Sequence, residues 1–191
     1  AADKAMFEQV VASSERYKVK IRVDANGGWN LPTAVEMSHW LAERGVRYIE
    51  QPLKEGDESN LLPLYEQSAL PIYVDESCRF AHNIPQWARA VHGINFKLMK
   101  CGGITEALRI IATAKAFGLK TMVGCMSESS VSIAAAAALS GVLDHIDLDS
   151  HYNLAPDPAE GAPMIKGITQ PTERPGHGAQ LKKETNVTTV G

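Results

Sequence analysis

Residues 72–103, IYVDESCRFAHNIPQWARAVHGINFKLMKCGG, decide the fold. They open on an apolar run, Ile72 to Asp75, that ends in a carboxylate. Pro85 then sits where the first turn of a helix reaching Val91 would tolerate it, and a second apolar run, Ile94 to Leu98, carries Lys97 near its end. That is one strand–helix–strand unit, and the same pattern continues on both sides. Upstream, Val19 to Asp24 leads into VDANGGW (23–29), a helix is expected over Pro32 to Arg44, and YIEQPL (48–53) contains the strand Tyr48 to Glu50. A helix from Leu61 to Gln67 joins it to Ile72. Downstream, Ala107, Ile110, Ile111 and Ala114 recur at i, i+3, i+4, i+7 and predict an amphipathic helix over Thr105 to Phe117. Gly118 caps it. Strand Lys120 to Gly124, helix Ser130 to Leu139 and strand His145 to Asp149 complete the alternation, while residues 4 to 15 read as the end of an earlier helix.

Strict alternation with short connections predicts a parallel α/β architecture of six strands. An open doubly wound sheet is the alternative, but it gathers its chemistry at one switch point and usually carries a glycine-rich phosphate loop after its first strand. Here chemically capable residues end nearly every strand, as in a (β/α)8 TIM-type barrel. A complete barrel typically has about 250 residues, with a lower bound near 200. This chain of 191 residues is therefore expected to form a partial barrel of about six βα units. A Pro- and Gly-rich irregular stretch follows to about Gly178. The expected domain spans 1–181, and 182–191 is expected to be a polar, poorly ordered tail.

Composition narrows the function classes. The net charge is −3 and 45% of residues are hydrophobic, which suits one globular domain with a sizeable core. Lysines and arginines are scattered, so no basic stripe points to nucleic acid. The longest apolar stretch, Ile133 to Leu139, is mostly alanine and far short of the roughly 20 residues that span a bilayer, so no membrane role is expected. Cys78, Cys101 and Cys125 are odd in number and lack metal-type spacing, predicting reduced, small, buried residues in a cytoplasmic protein.

The chemistry follows from where the acids fall. Asp24, Glu50 and Asp75 end successive strands, so a barrel brings them to one mouth. Three clustered anions repel one another unless a cation neutralises them, and oxygen ligands of this kind suit Mg2+. Lys97 ends the next strand, a natural place for a base beside that cation. Lys100 reads as a supporting charge or a helix-start contact, and Gly102 and Gly103 as a tight turn. Asn26 and Glu76 are candidates to orient water or a ligand around the acids, although Asn26 in ANGG reads equally as a turn residue and Ser77 as the cap of the next helix.

The ordered set VDANGGW, EQPL, VDES, NFKLMKCGG, GCMSES (124–129) and DLD (147–149) resembles the enolase superfamily in its muconate lactonizing branch, most closely the dipeptide epimerases, over roughly residues 18 to 178. The resemblance implies that Asp24, Glu50 and Asp75 ligate Mg2+. It implies that Lys97 is an acid/base lysine moving the proton at the carbon α to a carboxylate, its pKa lowered by the nearby cation. Asp147 and Asp149 resemble an element associated with binding a substrate's α-ammonium group. As alternate residues of one strand they can converge on it, which favours a dipeptide over a dicarboxylate. Glu128 is expected to face the same mouth, and Met126 and Ser129 read either as pocket lining or as a core methionine and a helix cap.

The departures matter as much. The resemblance implies an N-terminal capping domain and a KxK strand bearing the opposite-face acid/base, and this chain is expected to begin after both. Lys18-Val19-Lys20 precedes Asp24 on one strand, so these lysines read as structural. The expectation is a Mg2+-dependent isomerase of dipeptides, impaired as a truncated piece. Muconate or chloromuconate cycloisomerase, o-succinylbenzoate synthase, and a noncatalytic barrel fragment that binds a partner remain alternatives. A homo-oligomer is compatible with this type of barrel.

Overall fold

The computed structural model describes residues 2–183. Most of the expected polar tail lies outside them. Six parallel strands pair in strict sequence order, β1 (Val23–Asp24), β2 (Ile49–Glu50), β3 (Ile72–Val74), β4 (Gly93–Lys97), β5 (Lys120–Gly124) and β6 (His145–Ile146). This is a partial TIM-type barrel, as expected. Helices α1 (Ala2–Ser14), α2 (Leu31–Ala42), α3 (Leu61–Gln67), α4 (Ile84–Trp87), α5 (Leu98–Cys101), α6 (Ile104–Ala116) and α7 (Ser130–Ala137) alternate with them. Among the described residues, no helix is long and apolar enough to cross a membrane.

Period-two alternation sorts the strand residues into two sets. Ile49, Ile72, Val74, Ile94, Phe96 and Val123 join the main core, packed with Met37 and Leu41 of α2, Leu61 and Leu64 of α3, Ile110 and Ile111 of α6 and Ile133 of α7. The residues between them face the other way. Tyr48, Tyr73 and Met122 form a separate buried cluster on that inner side, with the two tyrosine rings stacked at 4.3 Å and His145 Nε2 3.1 Å from the Tyr73 hydroxyl. Further along the same inner set stand Asp24, Glu50, Asp75, Asn95, Lys97 and Gly124.

Several expectations need correction. The first strand was expected from Val19, but regular pairing covers only Val23–Asp24; Lys18 lies in the left-handed region and Val19 and Lys20 are exposed. The last strand stops at Ile146 rather than Asp149. The turn after Lys97 is not a bare glycine turn: Leu98–Cys101 makes one helical turn before Gly102 and Gly103. The stretch after Asp149 holds two small antiparallel ladders, β7 (Ala159–Glu160) with β10 (Gln180–Leu181) and β8 (Met164–Ile165) with β9 (Ile168–Thr169). Each of these strands has two residues set among prolines and glycines, with no longer apolar run to mark it in the sequence. Cys78 and Cys101 are buried, and neither they nor Cys125 form a disulfide; Cys125 is only half-buried, at the inner face.

Candidate active site

The ladder itself delivers the acids. Asp24 pairs with Glu50 in register, and Glu50 pairs with Tyr73, which places Asp75 two residues further toward the same rim. Lys97 pairs with Gly124. Asp24, Glu50, Asn95, Lys97, Gly124, Cys125, Asp147 and Asp149 line one cavity of about 170 Å3. Asp147 and Asp149 reach it from the loop beyond β6, not from a strand, with the Asp147 amide extending the ladder by a 2.9 Å bond to the Val123 carbonyl.

Each carboxylate is held differently. Asp24 Oδ1 accepts from the Asn26 amide at 2.8 Å. Asn26 has φ +46, so it is a turn residue and reaches Asp24 through its backbone. Glu50 Oε1 accepts from Asn95 Nδ2 at 2.5 Å. Asp75 is buried, and its Oδ2 accepts from Lys97 Nζ at 2.6 Å and Lys100 Nζ at 2.9 Å. Lys100 also reaches Glu76 at 2.7 Å, the supporting charge anticipated for it. Arg22 is a partner the sequence reading missed: it stands 3.9 Å from Asp147 and donates to the Tyr48 hydroxyl at 3.1 Å. Asn95 and Arg22 were findable, since each lies two residues before a singled-out group on the same strand face.

Burial dominates the electrostatics. It pushes Glu50 up to about 7, the nearby Asp24 charge adds to this, and the Asn95 hydrogen bond and Lys97 only partly offset it. Burial also raises Asp24 against its Asn26 hydrogen bond, and raises Asp147 against the pull of Arg22, with Asp149 adding repulsion. Burial alone would lower Lys97, but its hydrogen bond to Asp75 and the charges of Asp75, Glu50 and Glu76 outweigh it, leaving the lysine above its ordinary value. Among these protein groups the shift runs opposite to the lowering expected beside a cation.

As placed, no three His, Cys, Asp or Glu side chains among the described residues gather closely enough to hold a metal ion. The donor set nonetheless suits a hard divalent cation. Asp75 Oδ1 is buried with no hydrogen-bond partner, and Glu50, raised chiefly by its burial, is raised further by the charges of Asp24 and Asp75. All three candidate ligands are oxygen donors at one rim.

Other expected residues stand apart. The buried Glu128 carboxylate accepts from the Met126 amide at 2.8 Å and from the Ser132 hydroxyl, tying its own loop to α7, and it does not line the cavity. Met126 is exposed rather than a core methionine. Ser129 occupies the N-cap position of α7 without a side-chain cap bond. Ser77 caps no helix; its hydroxyl donates to Glu58 at 2.9 Å and accepts from Gln51.

A barrel sheet with acids and a lysine at one strand-end rim defines the class of (β/α)-barrel proteins whose chemistry sits on the carboxyl ends of the strands. The family described as enolase C-terminal domain-like matches residues 3–185, and the chain belongs to it. It is 70% identical over 183 residues to a hydrophobic dipeptide epimerase of Flavobacteria bacterium (strain MS024-2A), covering 96% of this chain and 52% of that protein. A hydrophobic dipeptide epimerase of Roseobacter litoralis is 59% identical over 180 residues, covering 94% of this chain and 52% of the relative. Among solved structures, a dipeptide epimerase from Enterococcus faecalis V583, complexed with Mg and L-Leu-L-Tyr, superposes with a TM-score of 0.80 at 34% identity, covering 85% of this chain and 48% of that one. The chain spans about half the length of the curated relatives it matches.

Proposed function

We propose that this chain carries the acid/base and cation-binding half of a Mg2+-dependent epimerase acting on dipeptides, with hydrophobic side chains as the preferred class. The observation that carries the reading is the shared cavity of Lys97 with Asp24, Glu50, Asp147 and Asp149. The substrate class draws its support from relatives that are hydrophobic dipeptide epimerases.

In this reading Asp24, Glu50 and Asp75 hold the cation, which when bound supplies stabilisation of the negative charge that develops on the substrate carboxylate as the α-proton leaves. Lys97 takes or returns that proton at the α-carbon. Asp75 holds the Lys97 ammonium at 2.6 Å and so sets where Nζ points. Asn95 holds the Glu50 carboxylate and leaves its second oxygen for a ligand. Asp147 and Asp149 receive the substrate ammonium, with Arg22 as the positive charge that the ammonium displaces from Asp147. A dicarboxylate would meet two acids there, which disfavours the muconate-type alternative. Epimerisation requires a second acid/base on the opposite face, and neither Lys18 nor Lys20 lines this cavity.

The test is α-proton exchange followed by NMR in D2O with Mg2+ and L-Leu-L-Tyr, comparing the wild type with Lys97→Ala. Exchange that requires both Mg2+ and Lys97 supports the proposal. Exchange that survives Lys97→Ala overturns the role given to Lys97.

A further inference from the structure

Gln51 is a polar side chain with 1% exposure and a backbone φ of +34, a left-handed value that is costly for a residue other than glycine. It also precedes Pro52, which further restricts its backbone. Strain of this kind persists only where surrounding contacts over-determine it, and here those contacts can be named.

The Gln51 main chain ties three strand ends together: its amide donates to the Tyr73 carbonyl at 2.8 Å, and its carbonyl accepts from the Gly27 amide at 2.7 Å. Its side chain goes further. Oε1 accepts from the Asp75 amide at 2.8 Å and the Ser77 amide at 3.4 Å. Nε2 donates to the Leu53 carbonyl at 2.8 Å and the Ser77 hydroxyl at 2.9 Å. Both side-chain functions are thus occupied. The β2 main chain turns away toward Pro52, so no β2 carbonyl meets the Asp75 amide, and the Gln51 side chain supplies the acceptor instead. The side-chain amide extends the β2–β3 ladder past its end.

We propose that Gln51 is a positioning residue that sets the separation of Glu50, its covalent neighbour, from Asp75, and thereby the affinity of the cation site; this rests on the metal reading under Proposed function. Lys97 and Lys100 restrain the Asp75 carboxylate, whereas Gln51 restrains the backbone that carries it. The hydrogen-bonded partners behind a metal ligand are each worth about 10- to 100-fold in affinity.

The experiment measures Mn2+ binding by electron paramagnetic resonance, and unfolding temperature, on the protein as it occurs. Gln51→Met keeps length and removes all four side-chain hydrogen bonds. Ser77→Ala removes one anchor of Nε2. Ile110→Val, in the core at α6, controls for lost stability alone. Expected is a Mn2+ affinity about 10- to 100-fold weaker for Gln51→Met, a smaller loss for Ser77→Ala, and no change for Ile110→Val. A folded Gln51→Met with wild-type affinity overturns the proposal, as does equal weakening by Ile110→Val. If Gln51→Met does not fold, Ser77→Ala decides by the same comparison. If the wild type binds no Mn2+, the metal reading fails and this proposal with it. Faster amide exchange at Asp75 in Ser77→Ala would then show the latch itself to be real but without a cation site to serve.

Discussion

Gly124 faces Lys97 across the β4–β5 ladder, and replacing it with alanine tests how tightly the site is built. A methyl group there would lie 2.9 Å from Asn95 Nδ2, 3.1 Å from Lys97 Cε and 3.2 Å from Asn95 Oδ1. Carbon contacts settle near about 3.5–4.0 Å, so both neighbours must retreat by several tenths of an ångström. Neither moves without loss. Asn95 is held by Glu50 at 2.5 Å, and Lys97 by Asp75 at 2.6 Å. Overpacking a buried site costs about 1–3 kcal/mol. Swinging the Asn95 amide aside relieves the overlap but gives up a hydrogen bond to a charged group, worth about 1.5–3 kcal/mol. The two are alternatives, the cheaper one sets the outcome, and a loss of about 1–3 kcal/mol is expected. The assay is urea unfolding of Gly124→Ala beside Gly141→Ala, whose added methyl meets nothing within 4 Å. In the α-proton exchange assay, a displacement of Lys97 by a fraction of an ångström should lower the rate on the order of tenfold. Equal stability and equal exchange in the two variants would refute the reasoning.

Two further outcomes are expected. Asp147→Asn should raise the KM for a dipeptide by about tenfold while kcat changes little, because the ammonium is bound alike in ground and transition states; a kcat loss at constant KM would contradict the binding role. His92 should impose an acid limit on stability. Its Nδ1 accepts from the Ile72 amide at 3.0 Å, and burial lowers its pKa below the usual 6.5. The unfolded chain therefore takes up this proton more readily, so the stability His92 contributes is present above pH 6.5 and is lost as pH falls from there toward the folded value. Urea unfolding at neutral and mildly acid pH should show a shallower acid loss for His92→Phe, and an unchanged slope would count against it.

The acids and Lys97 were legible because each closes an apolar run, and the order of those runs fixes which strands are neighbours. Asp147 and Asp149 line the cavity from the loop after Ile146, not from a strand, so the alternation expected to align them is not what brings them there. Asn95 and Arg22 share a strand face with singled-out groups, but what makes them and Gln51 matter are partners far along the chain, Glu50, Tyr48 and Ser77, which lie 45, 26 and 26 residues away. Glu128 shows the converse, since its neighbours Met126 and Ser132 claim a carboxylate that its place in the sequence offers to the cavity. The ladders beyond Asp149 gave no signal because, unlike the equally short β1, β2 and β6, their residues close no longer apolar run and lie among prolines and glycines.

The inner and outer sets have a consequence for how this sequence can change over time. Phe96, in the helix-packed core, and Lys97, at the rim, are adjacent in the chain and separated by the thickness of the sheet. Substitutions at one can drift without disturbing the other, so the scaffold and the chemistry can evolve at different rates. Insertions and deletions have no such freedom. Losing one residue early in β4 would deliver a phenyl ring to the cavity and an ammonium to the oily layer, so length within these strands should be far more constrained than identity.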